Sequence, residues 1–313
     1  MGKHSMSIQS NCAKAGEDHR GRIVLHRVTK HFGNASTERV VVENCSFTIE
    51  PGKLNVIIGP SGCGKSTLLN LIAGYDTPDT GSISCDGVRV DGPSSDRLVV
   101  FQENALFDWM TTYENIVFGP RAQGCSSDLI ETKANQVLER VGLGDFRDKY
   151  PSQLSGGMQR RIELARAIIN DPTVMLLDEP FRGLDAMTKG LMQEYFLQLY
   201  SENPRTAVFV TTDIDEAILL ADRLIILSNA PASLRHCVEV DIDKPRVAAS
   251  LYERDQANNI KREALDILYH EALKSFQTSK KSDSDFLHSY TVRGASVPPH
   301  GSLSESITPG LDK

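Results

Sequence analysis

The chain has 313 residues, a formal net charge of −7, 40% hydrophobic residues and 24% charged residues. That length leaves room for one large α/β domain with an appendage or for two small domains, and the acidic balance gives generic nucleic-acid binding no electrostatic support. No apolar run reaches the ~20 residues that a membrane-spanning helix needs, so a role at a membrane requires a partner.

Residues 1–21 are polar and lack the apolar core of a signal peptide. They are expected to be disordered, and the chain to stay in the cytosol. Cysteines stand at 12, 45, 63, 85, 125 and 237 without a CxxC pair, which argues against both a zinc site and a disulfide framework. Cys63 is singled out because it lies inside a glycine-rich loop, where its thiol is expected to be accessible. From Arg22 to about Val90 the β-branched, alternating segments predict an antiparallel layer. Within that stretch the apolar run Asn55–Ile58 leads into a glycine loop and then a helical pattern, the βα unit of a nucleotide-binding fold.

That loop reads Gly59-Pro60-Ser61-Gly62-Cys63-Gly64-Lys65-Ser66-Thr67, the GxxxxGK[ST] pattern. Its glycines let backbone amides turn inward around phosphates at a helix N-terminus. Lys65 is expected to reach the β- and γ-phosphates of ATP, and the Ser66 hydroxyl to ligate Mg²⁺. Val174-Met175-Leu176-Leu177 precedes Asp178-Glu179, which places two carboxylates at the C-terminal end of a buried strand, the edge where such sheets bind ligands. Asp178 is the second metal residue, and Glu179 the general base that orients the attacking water. The runs VMLLDE, AVFVTTD and RLIILS alternate with helical stretches, as buried parallel strands do. DIDEAILLADR between the last two reads as an amphipathic helix. Ile260, Ala264, Ile267, Leu268, Ala272 and Phe276 share one helical face, which predicts a C-terminal helix docked on its own domain.

Leu154-Ser155-Gly156-Gly157-Met158-Gln159-Arg160, opening a helix, resembles the signature motif of the ABC ATPases. Phe101-Gln102 resembles the Q-loop, Gly183-Leu184-Asp185 the D-loop, and Phe32-Gly33 stands where the family has its adenine-stacking aromatic. The resemblance spans about residues 22–240 with every motif in order. It implies an α/β P-loop NTPase with a RecA-like parallel core, an antiparallel β layer and an inserted helical subdomain over about 103–170. A helical extension over 241–276 and a disordered tail over 277–313 complete the expected chain. ALFDWMTTYENIVFG, EPFRGLDAMT and DIDEAILLADRLIILS further resemble the ATPases of nitrate, sulfonate and taurine importers.

For partners, the resemblance implies a second ATP-binding subunit, identical or different, together with transmembrane permease subunits and, indirectly, a solute-binding protein. The setting would be peripheral, on the cytoplasmic face of the inner membrane, with no nucleic acid involved. ATP on Gly59–Thr67 of one chain would be closed over by Ser155, Gly156 and Gly157 of the other. Gln102 would sense the γ-phosphate and metal. Phe107, Trp109 and Met110 would line the groove that receives a helix of the membrane subunit; for Trp109 ordinary core packing is the alternative, and an apolar cluster left exposed would favour the groove.

One motif departs from the family. The histidine expected after the strand AVFVT is replaced by Thr212, and residues 32–235 contain no histidine at all. A threonine donates a hydrogen bond but carries no charge, so removal of one preorganised donor could slow hydrolysis by ~10²–10³. A mixed pair with one intact cassette, a slow homodimer, or compensation by neighbours would each account for it. Arg182-Gly183 and Met158 are milder departures. The alternative function is a soluble or regulatory ABC ATPase in which ATP drives dimerisation.

Overall fold

The computed structural model describes residues 20–34 and 38–278. Strands β1 (Ile23–Phe32) and β2 (Arg39–Ile49) pair antiparallel. The buried strand β3 (Leu54–Ile58) runs through the glycine loop into α1 (Lys65–Ala73). Next come β4 (Thr80–Cys85), β5 (Val88–Arg89) and β6 (Arg97–Val100). Three helices follow, α2 (Thr112–Ala122), α3 (Ser127–Arg140) and α4 (Gly156–Ile169). The chain then alternates through β7 (Val174–Asp178), α5 (Ala186–Glu202), β8 (Thr206–Thr211), α6 (Ile214–Leu220) and β9 (Arg223–Leu227). It finishes with β10 (Leu234–Glu239) and α7 (Asp255–Thr278).

The strands form two sheets. One is antiparallel, in the order β2-β1-β4-β5. The other has the order β10-β9-β3-β8-β7-β6, parallel except for β10. Alternation along each strand divides the core. In β8, Val208 and Val210 join α1 and the antiparallel sheet, whereas Ala207 and Phe209 join α5, α6 and α7 on the other face. Burial on both faces is why these strands read as continuous apolar runs. Helices α2, α3 and α4 pack around a third cluster that includes Ile116, Ile130, Ala134 and Ile162.

Helix boundaries follow local chemistry. Thr111 and Glu114 form a reciprocal capping box on α2, and Ser155, Asp185 and Asp213 cap α4, α5 and α6 with their side chains. Gly74 ends α1 at φ 83°, and a Cβ there would meet the Gly92 carbonyl oxygen at 2.2 Å.

Several expectations need amendment. The disorder expected over 1–21 and 277–313 concerns mostly residues outside those described, but Gly21 is buried with its amide on Asp86 Oδ1 at 2.9 Å. Residues 277–278 are helical. Helix α6 is not amphipathic, since Glu216 through Leu220 are all buried beneath the C-terminal segment. Strand β10, half-buried and mixed in composition, carries no alternation strong enough to announce it. The C-terminal helix docks on the expected face, with Ile260 and Ala264 buried and Ile267 and Leu268 packed against the same core. The described residues up to Ser275 form one compact unit; of the unit beginning at Phe276 only 276–278 are described.

Candidate functional site

Four parallel strands deliver their C-terminal ends to one edge of the sheet. Ile58 pairs with Thr211, Val210 with Asp178, and Val100 with Leu177. The glycine loop, Thr212, the Asp178-Glu179 pair and Phe101-Gln102 therefore leave the sheet side by side, at the edge where open α/β sheets bind ligands.

The loop is shaped by its backbone. Gly64 has φ 116°, and a Cβ there would lie 2.9 Å from the Val41 carbonyl oxygen on β2, so only glycine fits. Ser61 and Gly62 at the tip are exposed, Gly59 is buried, and Pro60 and Thr67 are half-buried. Lys65 is 5% exposed and its ammonium donates to the carbonyls of Gly59 and Pro60, both at 3.0 Å. That curls the cation over the loop at the N-terminus of α1, where an anion is favoured. Cys63 is not accessible: it is 0% exposed in the core between the sheets, and burial pushes its thiol pKa up. Its Sγ would lie 3.0 Å from a Cβ placed on Gly59, so the thiol fills the space beneath the loop.

Asp178 and Glu179 stand next to the loop. Burial holds the Asp178 carboxyl above the usual carboxylate range, and the neighbouring Ser66 hydroxyl only partly offsets it. Its Oδ1 is buried without a hydrogen-bond partner. An orphaned carboxylate oxygen beside a serine hydroxyl is a donor set suited to a hard divalent cation, while the nearby Lys65 ammonium suits the phosphates such a cation accompanies. Glu179 is 8% exposed and adopts φ 41°, a left-handed conformation costly for a side chain and concentrated at working sites. Its amide donates to the Val210 carbonyl, and Arg182 Nη1 approaches its Oε2 at 3.2 Å.

Thr212 is exposed at the end of β8, on a loop held from below. Thr211 donates its hydroxyl to Glu216, Gln193 Nε2 donates to the same carboxylate at 2.8 Å, and Lys189 donates to Asp213 at 2.8 Å. This buried network joins α5, which follows the D-loop motif, to the Thr212 loop. Its members were missed in the sequence because they lie on three elements.

Ser155 caps α4 by accepting from the Met158 amide at 3.3 Å; Ser155 and Gly156 are exposed, and Gly157 lies against Thr188. Nothing brings this motif into bonding contact with the glycine loop of the same chain among the described residues. Deeper in α4 lies a second missed group. Arg160 donates to the Phe101 carbonyl at 2.8 Å and the Gln102 carbonyl at 2.7 Å, and pairs with Glu163 at 2.6 Å. Glu163 also accepts from the Ala105 amide, and Arg166 donates to the Ala105 carbonyl at 2.8 Å. Burial pushes the Glu163 carboxyl up, opposed by Arg160 and the Ala105 amide. The 160/163/166 spacing alone resembles a solvated stripe, which is why it does not stand out.

Phe32 ends β1 at 45% exposure, with the Lys30 ammonium 5.2 Å from its ring centroid. Trp109 is 73% exposed, packed on Phe107 at 5.5 Å, and Phe118 flanks Phe107 at 4.8 Å. Core packing is thus the wrong description of Trp109.

The ABC transporter family model matches residues 42–182. An ABC transporter ATP-binding protein of Methanocaldococcus jannaschii, its function uncharacterised, is 37% identical over 82% of this chain and 94% of its own length. This chain belongs to the ABC transporter ATP-binding family. As a member it binds ATP and is an ATPase coupled to transport. The aliphatic sulfonates import ATP-binding protein SsuB of Bacillus thuringiensis subsp. konkukian is 40% identical over 72% of this chain and 88% of that protein. The bicarbonate transport ATP-binding protein CmpC of Synechococcus elongatus is 43% identical over 72% of this chain, which spans about a third of that longer ABC protein. A solved dimeric structure of the ATP-binding cassette MJ0796, in a post-hydrolysis state bound to ADP and Pi, superposes with TM-score 0.62 at 29% identity. It covers 71% of this chain and all of that cassette.

Proposed function

We propose that this ABC subunit energises an importer for a small anionic solute, of the kind named for its sulfonate and bicarbonate relatives. It would sit peripherally on the cytoplasmic face of the membrane, beneath permease subunits that a solute-binding protein feeds. The observation that carries the chemistry is the convergence of Lys65, Ser66, Asp178 and Glu179 at one sheet edge, with Asp178 Oδ1 left unsatisfied.

In this reading the loop amides of Gly59–Thr67 and the Lys65 ammonium bind the phosphates of ATP, and Phe32 stacks on the adenine. Ser66, Asp178 and Gln102 would hold Mg²⁺, which would supply charge neutralisation at the phosphates of the nucleotide. Glu179 accepts a proton from the water that attacks the γ-phosphate, and its left-handed backbone fixes the carboxylate direction beforehand. Ser155, Gly156 and Gly157 of a second cassette, identical or different, close over the nucleotide with the N-terminal amides of α4. Thr212 offers a hydroxyl where the family pattern has an imidazole, so turnover is slow relative to binding.

Coupling to the permease fits the exposed rings of Trp109 and Phe118, which flank the half-buried Phe107 beside the Q-loop that α4 grips. The test is Glu179→Gln in the full chain. Turnover should fall by ~10²–10⁴ while ATP affinity is retained and an ATP-dependent dimer accumulates. Retained turnover would reject Glu179 as the base. Co-purification of an integral membrane protein that is lost on Trp109→Ala tests the permease contact; recovery of only soluble partners would favour the regulatory ATPase.

A further inference from the structure

The segment after β10 is fastened to one helix, α6, and at both of its ends. Arg246 is 5% exposed, and its guanidinium donates to five main-chain carbonyls. Nη1 donates to Ile218 at 3.3 Å, to Leu219 at 3.4 Å and to Ala221, which are the last carbonyls of α6 and its C-cap. Nε donates to Ile242 at 3.0 Å and Nη2 to Val240 at 2.9 Å. One buried side chain thus satisfies the helix end that would otherwise be orphaned. At the opposite end, Asp215 accepts from the Tyr252 hydroxyl and pairs with Lys261 at 2.6 Å, and the Lys261 ammonium lies 4.3 Å from the Tyr252 ring centroid.

The Thr212 loop runs from the end of β8 into the N-terminal end of α6. Asp213 caps the helix, and Glu216 in its first turn receives Thr211 and Gln193. Docking of the C-terminal segment already rests on Leu251, Ala257, Ile260 and Ala264 in the core. The polar contacts at the two ends of α6 add little buried apolar area; what they add is a fixed axial position for the helix. A displacement of about 1 Å in a reacting group can cost ~10²-fold in rate.

We propose that residues 242–261 are a positioning clamp for hydrolysis: Arg246 at one end of α6, and Tyr252 with Lys261 at the other, hold the Thr212 loop in its working place. The clamp sets turnover and leaves nucleotide affinity alone. This rests on the reading that Thr212 faces the γ-phosphate, and the experiment separates the two claims.

Arg246 variants risk misfolding, so the test uses Tyr252→Phe and Lys261→Met in the full-length chain, with ATP turnover, equilibrium ATP binding and thermal midpoint measured together. Each should lower kcat about threefold to tenfold, the rate equivalent of one hydrogen bond. The Kd for ATP should stay within about twofold, and Lys261→Arg should restore kcat. Unchanged kcat overturns the clamp, as does a parallel decline of kcat, affinity and midpoint. In a second arm, Thr212→His is measured with and without Lys261→Met. A gain from the histidine that shrinks when the clamp is cut supports the route through this loop, and an undiminished gain overturns it. Absence of any gain in the otherwise native chain refutes the Thr212 reading, while the first arm still judges the clamp.

Discussion

Arg160 donates to the main-chain carbonyl of Gln102 at 2.7 Å, from within the helix that Ser155 caps. The Phe101-Gln102 loop and the helix that opens at Ser155 are therefore joined within the chain by a buried guanidinium. The same side chain neutralises Glu163, which is 3% exposed.

Arg160→Met removes the cation and leaves Glu163 buried without it. The change should destabilise the fold by about 3–5 kcal/mol, read as a shift in urea unfolding. Arg160→Met with Glu163→Leu should recover part of that stability, because the buried carboxylate leaves together with its guanidinium partner and Arg166 keeps its bond to the Ala105 carbonyl. Turnover should not recover, because the Phe101 and Gln102 carbonyls stay untethered. Recovery of both together would mean that the ion pair serves stability alone.

Thr212→His should raise kcat, by up to ~10²-fold if the imidazole reaches a transition-state oxygen that the threonine hydroxyl serves poorly. Thr212 is exposed, so the larger side chain can be accommodated without repacking. The comparison is steady-state turnover at saturating ATP. An unchanged kcat would show that the threonine is no catalytic deficit in this chain.

The Lys189–Asp213 pair at 2.8 Å sets a pH window for the loop. Burial raises the Asp213 pKa, but Lys189 and the capped amides of Glu216 and Asp215 outweigh it and hold the carboxyl below its ordinary value. Burial likewise works against the Lys189 ammonium, and Asp213 with Glu216 holds its pKa above the ordinary value. A lowered acid contributes stability above its unfolded pKa of ~3.9 and loses it as pH falls through the folded value. A raised lysine contributes below ~10.4 and loses it as pH rises through its folded value. The unfolding free energy should therefore differ between the native chain and Lys189→Met by a constant ~0.5–1 kcal/mol from about pH 5 to 9, given the partial exposure of the pair. The gap should narrow outside that range. A gap that changes steadily across neutral pH would refute the assignment.

What the sequence determined by itself was the phosphate-binding half of the site and the parallel core. Those features are local. A glycine loop must follow its strand directly, and a strand buried on both faces must be apolar throughout, so Gly59–Thr67 and Val174–Glu179 declare themselves in contiguous residues. The antiparallel layer was legible for the same reason, since alternation over β1, β2 and β4 is a short-range pattern. Only the tertiary structure could decide the contacts whose partners are far apart along the chain. Cys63 reads as an open loop thiol until the sheet above buries it. Arg160, Glu163 and Arg166 look like a solvated stripe until the Q-loop lies against them. Arg246 looks like a surface charge until its guanidinium is found among five carbonyls at the end of α6. Burial of a charge is compensated by partners that folding supplies, and no periodicity in the chain records which partners those will be.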